Sequence, residues 1–313
     1  MQVVARAPAS IGNVGVGFDI LGAAVRAEAG PFMGDVVTVQ EASEPSFVAE
    51  GPFADSLPAA TAHNLVEQAR LTLMAAPGAR VRPAAVTLHK GLPVGSGLGS
   101  SAASIVAGVL AFDAWYGTNL SPEALLTIMG KLEGSVSGSV HYDNVGPSYL
   151  GGLQLLLGHP GAVSCRVPIF PSWRWVMLHP GTAVSTAAAR AVMPHTYGKA
   201  VTIDHGRRVA GFVHACHAGD ARLAAELMVD VLAEPWRQAL LPHLGRARSI
   251  AIAEGALAAG ISGSGPTVFA IADDPETARR IRDRFATELI SGRPGFARIC
   301  RIPEAGATVE VVP

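Results

Sequence analysis

Glycine and serine alternate in one short segment in a way that suits the binding of a phosphate group. The segment lies between a predicted strand and a predicted helix, and it consists of Pro93, Val94, Gly95, Ser96, Gly97, Leu98, Gly99, Ser100, Ser101 and Ala102. Three glycines at alternate positions permit a positive φ and let a ligand approach the backbone closely. The two serines stand at the opening turn of the helix, where free N–H groups and the helix dipole favour an anion. The segment therefore predicts a phosphate-binding loop; the competing interpretation is a surface turn followed by a helix-capping serine.

This loop differs from two other nucleotide-binding patterns. Its spacing is not GxGxxG, and no acidic residue follows in a strand about 20 residues later, as a dinucleotide site requires. Lysine occurs only at Lys90, Lys131 and Lys199, and none of them follows a glycine-rich loop as the GxxxxGK[ST] pattern demands. We therefore expect backbone amides and a helix, instead of a lysine, to bind most of the phosphate.

The elements that must position the loop alternate irregularly along the chain. Runs rich in β-branched residues predict strands at 3–7, 36–39, 85–89, 153–157, 175–178, 267–271 and 309–312. Apolar periodicity predicts helices over 62–75, 100–116, 121–133, 185–193, 199–218, 220–232, 236–259 and 275–291. Pro235 should divide the run from 220 to 259 into two helices. Because the strict strand–helix alternation of a doubly wound sheet is missing, we predict an α+β fold.

The chain length allows one large domain or two closely packed ones. It has 313 residues, and its stretch from Gly158 to Pro171 is rich in glycine and proline. We predict a boundary in this stretch, with an N-terminal domain over 1–165 and a C-terminal domain over 166–313.

Composition excludes several function classes. The net charge is −1, and no run of Lys and Arg marks a surface for nucleic acid. Cys165, Cys216 and Cys300 stand far apart without a CxxC pair, which argues against a disulfide framework and fits a reducing compartment. No secretion signal is visible at the start, and no apolar run approaches the roughly 18–20 residues of a membrane helix. We therefore expect a soluble cytoplasmic protein that binds neither nucleic acid nor membrane.

Three motifs together resemble a known superfamily. The segment from Pro93 to Ser101 looks like the ATP-binding loop of the GHMP kinases, the galactose, homoserine, mevalonate and phosphomevalonate kinase superfamily. The segment from Ala7 to Asp19 resembles its amino-terminal motif, and the segment from Ile261 to Ala270 resembles its carboxy-terminal glycine-rich motif. All three stand in the expected order. The resemblance implies two α+β domains, a site in the cleft between them, and ATP contacts throughout 93–103, Ala103 included.

Within the superfamily the chain is most similar to the homoserine kinases. The segment His141-Tyr142-Asp143-Asn144 carries their H-x-D-N signature, and the segments that end at Arg190 and Arg237 resemble two more of their motifs. This resemblance implies ATP-dependent phosphorylation of the side-chain hydroxyl of L-homoserine to O-phospho-L-homoserine, a step towards threonine. It also suggests a homodimer.

Residue chemistry agrees with such a substrate. Homoserine is a zwitterion with a terminal hydroxyl, so its site needs a carboxylate clamp, an ammonium acceptor and a group that orients the hydroxyl. Arg190 and Arg237 can form the clamp, because a guanidinium matches a carboxylate through two hydrogen bonds. Asp143 or Asp19 can accept from the ammonium, and Asn13 or Asn144 can hold the hydroxyl. The resemblance assigns substrate contacts to Asn13, Asp19, His141, Asp143, Arg190 and Arg237.

The resemblance also implies a magnesium site. Glu133 at a helix end resembles the family's Mg²⁺ ligand, with the Ser100 hydroxyl as the second protein contact. One carboxylate suffices, because Mg²⁺ keeps several waters beside substrate phosphates. We count Asn144, Asn13 and Glu133 as the catalytic set. Some superfamily members use an aspartate–lysine pair as a base; no lysine stands in a suitable place here, so we expect catalysis by orientation and electrostatics, with Asp143 as a possible exception.

One motif departs from the homoserine kinase pattern. Those enzymes commonly read Ser-Ser/Thr-Ala-Asn where this chain has Ser10, Ile11, Gly12 and Asn13. The substitutions could alter the shape of the substrate pocket. Two alternatives therefore stay open: a GHMP kinase for another small alcohol or amino alcohol, and an inactive relative that binds ligands as a regulator. The two arginines disfavour a neutral alcohol, and the intact loop disfavours an inactive protein.

Overall fold

The structure is a computed structural model that describes residues 1–58, 63–137, 140–159, 162–290, 292 and 294–312. The strands are β1 (Gln2–Gly12), β2 (Leu21–Ala27), β3 (Gly34–Glu41), β4 (Ser46–Glu50), β5 (Ala84–His89), β6 (Leu153–His159), β7 (Ala162–Val167), β8 (Arg174–His179), β9 (Ala258–Ile261), β10 (Val268–Ala272), β11 (Phe296–Arg301) and β12 (Thr308–Val312). The helices are α1 (Leu65–Met74), α2 (Ser100–Tyr116), α3 (Pro122–Ser137), α4 (Val145–Leu150), α5 (Thr186–Ala191), α6 (Lys199–Ala218), α7 (Ala221–Leu227), α8 (Glu234–Arg237), α9 (Leu244–Ala253) and α10 (Pro275–Glu288).

The strands form one branched sheet. Its main path runs β4-β5-β3-β1-β2-β11-β8-β10-β9, while β12 pairs with β1 and β6 lies between β2 and β7. The pairing of β4 with β5 is parallel, and the other pairs are antiparallel. The short pairing of β2 with β11 joins the two halves of the sheet. The predicted α+β class is confirmed, with two domains of mixed helix and sheet.

Helix α2 forms the centre of the N-terminal half. Almost every one of its residues is buried, from Ala102 through Phe112 to Tyr116. A helix that is apolar on all sides must be enclosed, and α2 packs against β1, β3, α1 and α3. This enclosure fixes the start of α2 at Ser100, directly after the predicted phosphate loop.

The C-terminal half has a second apolar cluster between α9, α10 and β8–β10. Helix α10 begins as its sequence predicts. The Asp274 carboxylate accepts hydrogen bonds from the N–H groups of Glu276 and Thr277, both at 2.9 Å, and Pro275 takes the first turn, where no N–H partner is needed. Ile281 and Phe285, one turn apart, then face the core.

The predicted helix over 236–259 is interrupted in the structure: α8 ends at Arg237, and only Leu244–Ala253 forms a longer helix, α9. Pro235 lies within the first turn of the short helix α8, and the break in the chain falls before it. There Asp230 accepts hydrogen bonds from the backbone N–H groups of Leu232, Ala233 and Glu234 at 2.8–3.1 Å. A side chain that satisfies three successive N–H groups competes with helix formation. The end of the run, Ala258–Ile261, forms strand β9 instead.

The predicted domain boundary at 165/166 falls within β7, which pairs with β6 as a hairpin. Positions 160 and 161 of the glycine- and proline-rich stretch lie outside the described residues, as do positions 62 and 291 at the ends of two predicted helices. The exact boundary stays a prediction. Within the described ranges, no helix is long and apolar enough to cross a membrane.

Candidate active site

The glycine-rich loop between β5 and α2 has the backbone conformation that its sequence predicts. Gly95, Gly97 and Gly99 have φ values of +67°, +78° and +65°, in the region that side chains disfavour. At Gly97 a Cβ atom would also lie 2.4 Å from the carbonyl oxygen of Ser262. Glycine is therefore required there both for its φ and for the close approach of the third glycine-rich motif.

The carbonyl oxygens of loop residues 95–98 all accept hydrogen bonds from outside the loop. The backbone N–H of Val184 donates to Gly95 at 2.9 Å, and the hydroxyl of Ser262 donates to Gly97 at 2.7 Å. The backbone N–H groups of Thr267 and Ser10 donate to Ser96 and Leu98, both at 3.1 Å. An anion beside the loop therefore meets no free carbonyl oxygen from these four residues. The loop N–H groups and the first turn of α2 can bind a phosphate.

A cavity of about 620 Å³ lies against this loop. Most of the predicted site residues line it: Asn13, Asp19, Val94, Gly95, Ser96, Gly97, Gly99, Ser100, Ser101, Glu133, His141, Asp143, Asn144, Arg190 and Arg237. The other four predicted ATP contacts, Pro93, Leu98, Ala102 and Ala103, are buried and absent from the lining. These four residues support the loop from behind.

The lining also includes residues that sequence reasoning missed. They come from the segment before α1 and from its first turns: Leu57, Pro58, His63, Asn64, Leu65 and Gln68. Asn64 caps α1 by accepting a hydrogen bond from the N–H of Val66 at 2.9 Å. Asparagine is favoured at helix N-caps, so Asn64 is a sequence signal for the start of α1, although it does not indicate that this start lines a cavity. Mixed apolar and amide groups of this kind suit a nucleobase.

Lys90, to which the sequence analysis gives no role in the site, lies under the loop. Its ammonium contacts the Asp35 carboxylate and donates to the Ser100 carbonyl (2.8 Å) and the Ser104 hydroxyl (3.0 Å). Asp35 in turn accepts from the N–H groups of Gly91 and Leu92 at 3.0 and 3.2 Å. Both charged residues are at most 1% exposed. The three N–H bonds of the ammonium therefore have protein partners, and the pair ties β3 and the loop to α2.

Glu133 projects from α3 towards the start of α2. The Ser101 hydroxyl donates to its Oε1 at 2.8 Å, while the Ser100 hydroxyl donates to the Leu92 carbonyl oxygen at 3.3 Å. The structure thus differs from the expected pairing of Glu133 with Ser100. Successive helix residues point about 100° apart, so the two serines cannot face α3 together. Burial raises the pKa of Glu133, whereas the Ser101 hydrogen bond and the charge of Lys90 lower it.

The residues present fit a Mg²⁺ ion bound with a nucleotide. Among the described residues no group of three or more His, Cys, Asp or Glu side chains could hold a metal by itself. A cation at Glu133 and Ser101 would therefore take its remaining ligands from phosphates and water, as Mg²⁺ commonly does.

Asp19 and Arg190 form an ion pair across the cavity. Nη2 and Nη1 of Arg190 donate to the two carboxylate oxygens of Asp19 at 2.7 and 3.1 Å. The Nδ1 atom of His141 lies 3.4 Å from the same Nη2. Burial and the nearby Arg190 charge lower the pKa of His141, although Asp19 opposes them. A neutral ring that accepts at Nδ1 fits this arrangement, because a guanidinium only donates.

Arg237 approaches the same compartment from α8. It is 2% exposed, and it donates to the carbonyl oxygens of Ala189 (3.1 Å) and Gly263 (2.9 Å). The guanidinium carbons of Arg237 and Arg190 lie 5.3 and 5.6 Å from the centre of the Phe18 ring, within the range of a cation–π contact. Phe18, which sequence reasoning did not single out as a site residue, thus holds both arginines near one another.

Asn13 joins two loops. Its Oδ1 accepts from the N–H of Asp19 at 2.9 Å, and its Nδ2 donates to the Gly263 carbonyl oxygen at 3.2 Å. Asn13 and Asp19 both have positive φ, at +68° and +60°, a strained conformation that asparagine and aspartate tolerate best. Since one hydrogen of Nδ2 remains, Asn13 can both shape the Asp19 loop and donate to a ligand.

Asp143 and Asn144 lie together against Gly12. Nδ2 of Asn144 donates to Oδ2 of Asp143 at 3.3 Å, and a Cβ atom at Gly12 would lie 2.5 and 2.9 Å from these two atoms. Glycine at position 12 therefore makes room for the pair. The pKa of Asp143 is raised to about 7, chiefly by burial and also by the negative charges of Asp19 and Glu133, whereas the charge of Arg190 lowers it.

Known proteins share this architecture. The chain matches the family described as GHMP kinases N terminal domain over residues 62–152 and that described as GHMP kinases C terminal over 212–291, together more than half of its length. A homoserine kinase from Cytophaga hutchinsonii superposes with a TM-score of 0.86 at 29% identity, over 99% of this chain and 97% of that one.

Two further structures agree with this result. A Listeria monocytogenes protein assigned as a homoserine kinase has a TM-score of 0.75 at 26% identity, with 99% and 100% of the two chains covered. L. major mevalonate kinase has a TM-score of 0.68 at 17% identity, with 96% of each chain covered, and this likeness concerns the fold alone. The two family matches and the full-length structural similarity show that the chain belongs to the GHMP kinase family.

Proposed function

We propose that this protein phosphorylates the side-chain hydroxyl of L-homoserine with ATP, giving O-phospho-L-homoserine and ADP. Its family indicates a small-molecule kinase with ATP as co-substrate. The observation that carries the choice of substrate is one cavity that joins the phosphate loop to a compartment with Arg190, Arg237, Asp19 and Asp143. Charges of both signs suit a zwitterion and give a neutral alcohol nothing to bind. The homoserine kinases among the structural neighbours support the same choice.

The nucleotide would occupy the loop side of the cavity. The backbone of Gly95–Gly99 and the first turn of α2 would bind its phosphates, and the segment around Asn64 would contact its base. Glu133 and Ser101 would hold Mg²⁺, which supplies positive charge that offsets the charge of the phosphates. We assign the metal contact to Ser101 in place of Ser100 because the Ser101 hydroxyl faces Glu133.

The substrate would replace the internal ion pair. Its carboxylate would take the place of the Asp19 carboxylate on Arg190, with Arg237 beside it, and its ammonium would lie between Asp19 and Asp143. Asp19 and Arg190 would thereby each exchange one partner for another of the same sign. Such an exchange avoids a buried charge without a partner, which is the main cost of binding ions in a protein.

Catalysis would then depend on positioning. The hydroxyl oxygen forms a bond to the γ-phosphorus, the bond from phosphorus to the bridging oxygen breaks, and ADP leaves with the electron pair. The hydroxyl proton passes to an oxygen of the transferred phosphoryl group, so no side-chain base is needed. Asn144, with Asn13 as a second candidate, would orient the hydroxyl, and His141 would help to fix Arg190.

Release of ADP from ATP and Mg²⁺ tests this proposal, with L-homoserine, L-serine, L-threonine, mevalonate and galactose offered separately. A strong preference for L-homoserine is expected. Preferred turnover of another alcohol would support the first alternative, a GHMP kinase with a different acceptor. ATP binding without turnover of any acceptor would support the second, a regulator. A homodimer remains a prediction from the resemblance, and a location in the cytoplasm remains a prediction from the composition.

A further inference from the structure

Ser10 occupies a position between the phosphate loop and the hydroxyl-binding side of the cavity. It lies in β1 and is fully buried, at 0% exposure. Its backbone N–H donates to the Leu98 carbonyl oxygen at 3.1 Å, and its hydroxyl donates to Oδ1 of Asn144 at 3.0 Å. At Gly99 a Cβ atom would lie 2.1 Å from the Ser10 hydroxyl oxygen. Ser10 thus contacts both the loop and Asn144.

Hydrogen bonds with Ser10 and Asp143 hold the Asn144 amide. An asparagine side chain can present either oxygen or nitrogen to a ligand, and rotation by 180° exchanges them. Here Oδ1 is engaged by the Ser10 hydroxyl, and Nδ2 donates to Oδ2 of Asp143 at 3.3 Å. Reversal would set Oδ1 against an acceptor oxygen of Asp143. Because a serine hydroxyl can both donate and accept, the Asp143 carboxylate selects the orientation of the amide, and the hydrogen bond to Ser10 holds the amide in place.

We propose that Ser10 is a positioning residue that holds the Asn144 amide in place, so that the nitrogen, which the Asp143 carboxylate selects, lies towards the reacting hydroxyl. This inference rests on the proposed function. The second hydrogen of Nδ2 then donates to the alcohol oxygen, and the alcohol's own proton points away from Asn144, towards the phosphoryl oxygens. Because the backbone N–H of Ser10 also donates to Leu98, the position of the Asn144 amide and that of the phosphate loop both depend on the same strand residue.

A double-mutant cycle on the full-length protein tests this role. Ser10→Ala should lower kcat about tenfold, since it loosens a preorganised donor without removing it. The KM for ATP and the dissociation constant of ATP should change less than about twofold, because the backbone bond to Leu98 does not need the side chain. Asn144→Ala should lower kcat further than Ser10→Ala does, and the double variant should match Asn144→Ala alone.

Two outcomes would overturn the proposal. If the kcat losses of Ser10→Ala and Asn144→Ala multiply in the double variant, Ser10 does not act through Asn144. If Ser10→Cys, which replaces the hydroxyl by a slightly larger thiol that donates only weakly, has the kcat of the wild type, the hydrogen bond is unimportant. Ser10→Cys also serves if the alanine variant unfolds. A failure of the proposed function is distinguished from a failure of this proposal, because it shows in the acceptor preference of the wild-type protein. If the wild type prefers another acceptor, the double-mutant cycle is measured with that acceptor.

Discussion

Asp19 and Arg190, which stand 171 positions apart in the chain, form a two-contact ion pair at 2.7 and 3.1 Å inside the cavity. The pair places a carboxylate and a guanidinium in the part of the cavity where the carboxylate and ammonium groups of an amino acid substrate would bind. The carboxylate of the protein thereby satisfies the guanidinium in the ligand-free state. This relationship explains how a site with several charged residues can fold before its substrate binds.

The Asp143 carboxyl should make substrate capture depend on pH. Its pKa is raised to about 7, chiefly by burial and next by the charges of Asp19 and Glu133. Below that pH the group is protonated and cannot accept the substrate ammonium as an anion. We expect kcat/KM for L-homoserine to fall as the pH drops through about 7, measured from pH 5.5 to 8.5. Asp143→Asn should remove the fall of kcat/KM at low pH. An unchanged pH profile in this variant would show that Asp143 is not the group that titrates.

The same carboxyl should affect stability in the opposite direction. Because the pKa of Asp143 is raised from 3.8 to about 7 in the folded protein, the folded state keeps a proton that the unfolded chain loses at lower pH. Its contribution to stability therefore decreases as the pH rises from about 4 to about 7. Without ligands, Asp143→Asn should have a higher Tm than the wild type at pH 8, with a smaller difference at pH 5. Scanning calorimetry at both pH values measures this; a lower Tm for the variant at pH 8 would count against it.

Ser101 and Ser100 should differ in their effect on the metal. Glu133→Gln and Ser101→Ala should each raise the Mg²⁺ concentration for half-maximal turnover, by roughly ten- to a hundredfold. Ser100→Ala is the matched control. It should change the Mg²⁺ concentration for half-maximal turnover much less, because the hydroxyl of Ser100 faces Leu92. Titration of initial rates with Mg²⁺ at saturating homoserine measures the effect. A larger shift for Ser100→Ala than for Ser101→Ala would restore the pairing expected from the sequence.

The pair Lys90–Asp35 should matter for folding. Asp35→Ala leaves the buried Lys90 ammonium without its counter-ion, so the free energy of unfolding should fall by about 3–5 kcal/mol. Arg222→Ala removes a pair with Glu226 whose side chains are 90% and 58% exposed and should cost less than about 1 kcal/mol. Urea denaturation compares the two. Similar small losses in both variants would show that the buried pair does not stabilise the loop.

Gly97 should be required for ATP use. In Gly97→Ala the new methyl would meet the Ser262 carbonyl oxygen at 2.4 Å and displace the loop, so kcat/KM for ATP should fall about a hundredfold. Gly78 is a matched control: its φ is +79°, nearly that of Gly97, but nothing lies within 4 Å of its Cβ position. Gly78→Ala should leave kcat/KM for ATP unchanged. An equal loss in both variants would assign the effect to backbone strain alone.

The sequence predicted the elements whose patterns are local. Helix α2 begins and ends where predicted, because glycines flank a continuous apolar run. Strands β1, β3 and β5 are predicted from their β-branched residues, whereas the first two residues of β9, Ala258 and Ala259, fall within a predicted helix. Alanine favours helix locally, and pairing with β10 overrides that preference.

Sequence motifs likewise identified many residues that line the cavity but not the contacts between them. The residues of the pair Lys90–Asp35 are 55 positions apart, and those of the pair Ser10–Asn144 are 134 apart. Neither spacing has a periodic pattern, since only the sheet topology brings these side chains together. The choice between Ser100 and Ser101 also depends on the rotation of α2 relative to α3, which no motif specifies.

The protein should recognise a zwitterionic substrate through side chains of both charges. The most direct test compares kcat/KM for L-homoserine with that for 4-hydroxybutanoate, which lacks the ammonium, and 3-aminopropan-1-ol, which lacks the carboxylate. Either analogue leaves a buried protein charge without its partner, so each should react at least about a hundredfold less efficiently. Comparable efficiency for either analogue would show that the corresponding charged residues play no part in substrate recognition.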